Sequence, residues 1–216
     1  INGARQSFQL TRALQGRIDR MARTGQLDRL PPILTFQSVV DFTVSTRAII
    51  KALYARLPAN GSELVLFDLN RNARFGPLLR TSADTVLSRL LPDAPRNFTT
   101  TVVTNVHRNS DQVAARTVVA GSTEETVREL NASFPPGVFS LSHLAIPFPL
   151  NDPLYGLQPH TRENYGANLG AIATRGERGL LVVSIDSLAR MSSNPFFDFL
   201  MERVEQGIVP RARPKP

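Results

Sequence analysis

Two side chains in this chain are placed where an acid and a base could act together. Asp41 stands in Leu30-Pro-Pro-Ile-Leu-Thr-Phe-Gln-Ser-Val-Val-Asp41-Phe-Thr-Val-Ser45, where a prolyl stop and a short apolar run come before a loop carboxylate and a new helix. An Asp just past a buried strand sits in the crevice beyond the strand ends, where open α/β sheets gather functional groups. About a hundred residues on, the apolar run from Val138 to Leu141 ends in Ser142 and His143. An Asp followed later by a His is the chain order of acid and base in one class of Ser–Asp–His triads. There the Asp fixes the imidazole tautomer while the His takes the serine proton. Asp41 has a second reading as a turn cap, since Asp readily bonds its own backbone.

The other two histidines occupy polar surroundings, His107 in the turn His107-Arg-Asn-Ser-Asp111 and His160 in Gln158-Pro-His-Thr-Arg-Glu. Three scattered His, no Cys and no His-x-x-x-His spacing offer no metal-ligand set, and no Gly-rich phosphate loop follows a predicted strand. No cofactor is expected. The absence of Cys also removes disulfides and thiol nucleophiles.

The elements that must position Asp41 and His143 can be read from periodicity. From Ala4 to Thr24, Leu10, Leu14, Ile18 and Met21 recur at helical spacing, and Gly25 can close that helix. Ile33 to Phe36 reads as a strand. Ser45 or Thr46 caps a helix carrying Ile49, Ile50, Leu53 and Leu57, which Pro58 stops. Asn60-Gly61 turns the chain into the strand Glu63 to Asp68, whose unbroken apolar run is that of a strand buried on both faces. Strand, helix, strand implies a parallel pair and an α/β class.

Thr81-Ser-Ala-Asp84 opens a further helix. Phe98 to Asn105 and Val113 to Ala120 are β-branched runs expected to form an antiparallel ribbon. Ser122-Thr-Glu-Glu125 has the spacing of a capping box, predicting a short helix with Val127 and Leu130. Ala145 to Gly156 is interrupted by Pro and Gly and reads as a loop with apolar anchors. Leu180 to Ile185 is a last strand candidate. Asn194 as cap and Pro195 at the first position introduce a final helix, closed by Gly207. Residues 210–216 form a Pro-rich basic tail expected to be disordered.

The formal charge of +7 is concentrated at the ends. Residues 1–30 hold six Arg and two Asp, residues 211–216 hold two Arg and one Lys, and the middle holds sixteen of each sign. With a neutral body and no basic stripe interleaved with aromatics, nucleic acid is not an expected partner. No apolar run approaches the roughly 18 residues of a membrane span. The chain opens on Ile1, as a processed or partial chain does.

Phe36-Gln-Ser-Val-Val-Asp41-Phe-Thr-Val-Ser45, Gly61-Ser-Glu-Leu-Val-Leu-Phe-Asp68-Leu-Asn-Arg71, Phe139-Ser-Leu-Ser-His143-Leu-Ala-Ile-Pro-Phe148 and Asn151-Asp-Pro-Leu-Tyr-Gly156 together resemble the C-terminal half of bacterial α/β-hydrolases of the lysophospholipase-like, serine hydrolase type. The resemblance covers most of residues 4–207. It implies the acid role for Asp41, the base role for His143, and an ester or lipid substrate. It implies the C-terminal part of a mostly parallel α/β-hydrolase sheet over residues 1–209, with an inserted β-ribbon and helices at about 70–137.

Two departures stand against it. No Gly-x-Ser-x-Gly occurs, so the serine and the first half of the sheet must be supplied by the missing N-terminal half or by another chain. Asp68 and His143 are also separated by a long excursion, where simple members reach the His within a few residues of that strand. Either the excursion is an insertion or the strand order differs, and Asp68 in Asp68-Leu-Asn-Arg71 is a rival acid whose other reading is a structural turn. The alternative function is a non-enzymatic interaction module in which Asp41 and His143 are structural.

Overall fold

The computed structural model describes residues 2–39, 41, 44–69, 90–107, 110–134, 148–153 and 194–208. Among them are helices α1 (Asn2–Arg23), α2 (Thr46–Ala52) and α3 (Phe197–Ile208), and strands β1 (Leu34–Ser38), β2 (Glu63–Asp68), β3 (Thr99–Asn105), β4 (Gln112–Val118) and β5 (Glu125–Ser133). The five strands form one sheet in chain order. The architecture is α/β-like.

β1 pairs parallel with β2, and β2 parallel with β3, whereas β3–β4 and β4–β5 are antiparallel. The parallel part is therefore limited to β1–β3, and the ribbon foreseen at Phe98 to Ala120 continues the same sheet. The registers Ser38↔Phe67 and Phe67↔Val103 bring the carboxyl ends of β1, β2 and β3 level. Ser38, Asp68 and Asn105 accordingly stand along one rim.

The middle of β2, Leu64 to Phe67, is apolar because it is covered twice. Leu64 and Leu66 join Val39, Ile50, Tyr54, Leu57 and Phe98 in a core under α2, while Val65 and Phe67 join Val103, Val113, Phe134, Phe196, Phe199 and Leu200 under α3. Each such buried aliphatic side chain contributes about 1.5–3 kcal/mol. Tyr54 meets Phe98 edge-on at 5.0 Å, and Phe196 lies 5.2 Å from Phe67 and 6.0 Å from Phe134, between centroids.

Most boundaries fall near their predicted positions. Gly25 takes the left-handed conformation at φ 65° after α1. Ser45 caps α2 by accepting from the Ala48 N–H, but the helix ends at Ala52 and a 3-10 turn, Tyr54–Arg56, completes the segment. Asn194 was expected to cap the last helix with Pro195 in its first position; instead Asn194 Oδ1 accepts from the Phe196 N–H at 2.9 Å in a turn, and α3 begins at Phe197 and runs through Gly207 rather than ending there.

One element is of the wrong type. Ser122 to Leu130 was expected to be a short helix, and residues 125–133 instead form β5 against β4. Ser122 Oγ does accept from the Glu124 N–H, as a turn. The Glu125 carboxylate that a capping box needs is taken by Arg116 of β4 at 3.0 Å, and the chain gains a backbone ladder instead. The expected helix from Thr81 falls almost wholly outside the described residues, as do the strand candidates at Val138 to Leu141 and Leu180 to Ile185 and the basic tail.

Candidate functional site

Asp41 lies three residues beyond the carboxyl end of β1 and is half-buried. Its loop is held from several directions. The Asp41 N–H donates to the Ser38 carbonyl at 3.3 Å, and Oδ1 accepts from the Val44 N–H at 3.0 Å. Oδ2 accepts from Gln37 Nε2 at 3.3 Å, and the same amide nitrogen is 3.2 Å from the Ser38 and Val44 carbonyls. Thr46 Oγ1 then donates to the Ser38 carbonyl at 2.8 Å, tying the start of α2 back to the end of β1. The turn-capping role is thus real. These bonds fix the orientation of the carboxylate.

Gln37 was not singled out in the sequence, although it carries the arrangement. It is buried, at 7% exposure, and a buried amide must find partners. A Gln near the end of a strand, four residues before a loop carboxylate, was the available signal.

Asp68, the rival acid, ends β2 opposite Thr104 and is half-buried. It shares the rim with Asp41 but belongs to the neighbouring strand. At the end of β3, Asn105 Nδ2 donates to the Ser110 carbonyl at 2.8 Å. His107 follows in an exposed turn, its carbonyl accepting from the Ser110 N–H at 3.1 Å. His143 and His160 lie outside the described residues. The rim therefore brings Asp41 and Asp68 to adjacent strand ends, with Asn105 beyond Asp68.

A second polar cluster sits on the α3 face. Glu63, at 8% exposure, is bridged by Arg203 of α3 and accepts from Thr101 Oγ1 at 2.7 Å, which in turn lies 3.1 Å from Thr117 Oγ1. A groove of about 360 Å³ opens beside it, lined by Thr117, Thr126, Arg128, Phe199, Glu202 and Arg203 among others. Its charges are matched internally, since Arg128 pairs with Glu202 and Arg203 with Glu63. This cluster was also missed, and a charge opening a buried strand was its signal.

Among the described residues no group of three or more His, Cys, Asp or Glu could hold a metal ion. No helix among them is long and apolar enough to cross a membrane. The chain matches no protein-family model, no curated protein and no solved structure.

Proposed function

We propose that the protein containing this chain is a serine hydrolase of carboxylic esters, with lysophospholipids or monoacylglycerols as its substrate class. Asp41 acts as the acid and His143 as the base of a triad whose serine lies outside these residues. The observation that carries this reading is Asp41 itself, a half-buried, hydrogen-bonded carboxylate just past the end of a parallel strand. The motif order from Phe36 to Gly156 supports it, and the substrate class rests on that resemblance.

In this mechanism Asp41 accepts from the imidazole Nδ1–H of His143 and stabilises the imidazolium. Nε2 takes the proton from the serine hydroxyl as Oγ adds to the ester carbonyl, giving a tetrahedral oxyanion. The imidazolium then protonates the departing alkoxide, leaving an acyl-enzyme. Water, deprotonated by the same imidazole, adds to the acyl carbonyl and releases the acid. Backbone N–H donors near the serine must hold the oxyanion, each worth about a hundredfold or more in rate.

The test is labelling with a fluorophosphonate probe, alongside p-nitrophenyl ester turnover. The intact parent is expected to label at one serine and to lose turnover in His143→Ala, while the 216-residue chain neither labels nor turns over. Failure of the intact parent to label overturns the hydrolase reading. Labelling of the 216-residue chain, lost in His143→Ala, shows instead that the nucleophile lies within it.

The second reading, an interaction module, is favoured by one observation: both Asp41 oxygens already serve its own loop. An intact parent with no probe-reactive serine selects this reading.

A further inference from the structure

α1 is attached to the body at one end only. Every residue from Gly3 to Gln15 is exposed, about 20 Å of helix, while Ile18, Asp19, Met21 and Ala22 are half-buried. The anchor includes an ion pair between Asp19 and Arg56. Along the projecting part, Leu10 is 71% and Leu14 56% exposed. At about 100° per residue these two lie on one flank with Met21, about a quarter turn from the Ile18 and Ala22 side that meets the body. Arg17 borders that flank, and Arg5, Arg12, Arg20 and Arg23 occupy the far side. Phe8 lies off that flank, on the Arg12 side of the helix, with the Arg12 guanidinium stacked over its ring at 5.9 Å.

The excess of basic residues continues in the sequence beyond the helix. Residues 2–61 carry Arg5, Arg12, Arg17, Arg20, Arg23, Arg29, Arg47, Lys51 and Arg56 against Asp19, Asp28 and Asp41. The one carboxylate of α1 is already paired with Arg56. An exposed leucine row beside unbalanced arginines is the pattern of a helix that lies in the boundary of an anionic membrane. A nucleic-acid surface accounts for the arginines but not for the leucines.

We infer that the projecting half of α1 docks this protein on an anionic phospholipid bilayer, with Leu10 and Leu14 entering the headgroup boundary, Arg17 beside them reaching lipid phosphates, and the other arginines adding longer-range attraction to the negative surface. The polar character of the rest of the helix makes anionic lipid a requirement, and the apolar row makes charge alone insufficient. This docking is peripheral and independent of the hydrolase reading.

The chain contains no Trp, so Leu10→Trp in the 216-residue protein creates a single reporter. With vesicles of equal parts phosphatidylglycerol and phosphatidylcholine, its emission is expected to shift to the blue and the protein to sediment with the lipid. Vesicles of phosphatidylcholine alone produce neither effect. Sedimentation of the unsubstituted protein is reversed by about 1 M salt, where the Debye length is about 3 Å. It weakens about tenfold or more in Leu10→Ser with Leu14→Ser, and likewise in Arg12→Gln with Arg17→Gln. Because these positions are exposed, circular dichroism should be unchanged in each variant. Absence of binding to the anionic vesicles overturns the inference. So does binding that the leucine substitutions leave intact, which marks a purely electrostatic anion surface. Blue-shifted emission that grows with protein concentration in the absence of lipid also overturns it, assigning the flank to a second copy of the chain.

Discussion

Arg203 of α3 reaches back across 140 positions to bridge the carboxylate of Glu63, the first residue of β2. The contact fastens the last described helix to a central strand, and it does so at a buried acid that also accepts from Thr101. Removing one partner leaves a charge in a poorly solvated place, whereas removing both does not. Arg203→Met is therefore expected to cost about 2 kcal/mol, and the combination with Glu63→Met to recover at least half of that. Urea titration of the two variants decides it; a single substitution within about 0.5 kcal/mol of the parent value would show a solvated, dispensable pair.

Tyr54 makes stability depend on alkaline pH. Its hydroxyl lies 2.7 Å from the Glu63 carbonyl, 2.8 Å from Thr35 Oγ1 and 3.2 Å from the Ile33 carbonyl, and burial pushes its pKa from 10.0 up to about 12. The folded state thus keeps a proton that the unfolded chain gives up. Its contribution is complete below pH 10 and declines as the pH rises toward 12, by up to about 2 kcal/mol. Chemical denaturation across that range should show the decline in the parent chain and a flatter profile in Tyr54→Phe. An identical slope in both would remove Tyr54 as the cause.

Gly121 tests backbone conformation without side-chain crowding. It sits at φ 77° between β4 and β5, donating to the Arg96 carbonyl at 2.7 Å, and an added Cβ there meets nothing within 4 Å. Gly121→Ala should destabilise by about 1 kcal/mol from the left-handed φ alone, and Gly121→Asn by less. Thermal melts of the two variants provide the comparison, and equal losses would point to something other than φ.

Asp41→Asn separates the two roles of that residue. The Asn carbonyl can still accept from the Val44 N–H while the bond from Gln37 Nε2 is lost, so stability should fall by about 1 kcal/mol. The charge that would stabilise an imidazolium is lost, and turnover by the intact parent should fall by about 10³–10⁴-fold. Unchanged turnover would leave Asp41 a turn residue and move the acid role to Asp68.

The capping reading of Asp41 is visible directly in the bonds of its loop. Local chemistry foresaw the Asp41 turn and the Ser45 cap, because each depends on backbone groups three residues away. Gln37 could not be foreseen as a clamp, since its partners depend on how the loop after β1 folds back.

The sequence by itself determined where β2 runs and that it is covered on both faces, because an unbroken apolar run can be buried only that way. It also determined the amphipathic character of α1 and the parallel pairing of β1 with β2, through periodicity and the helical crossover between them. Tertiary structure alone decided that residues 125–133 form a strand. Their local preferences were balanced between a capped turn of helix and an extended segment, and the free edge of β4 with Arg116 broke the balance. It alone decided, too, that Glu63 belongs with Arg203 and Thr101, since the three are brought together only when α3 closes over the sheet.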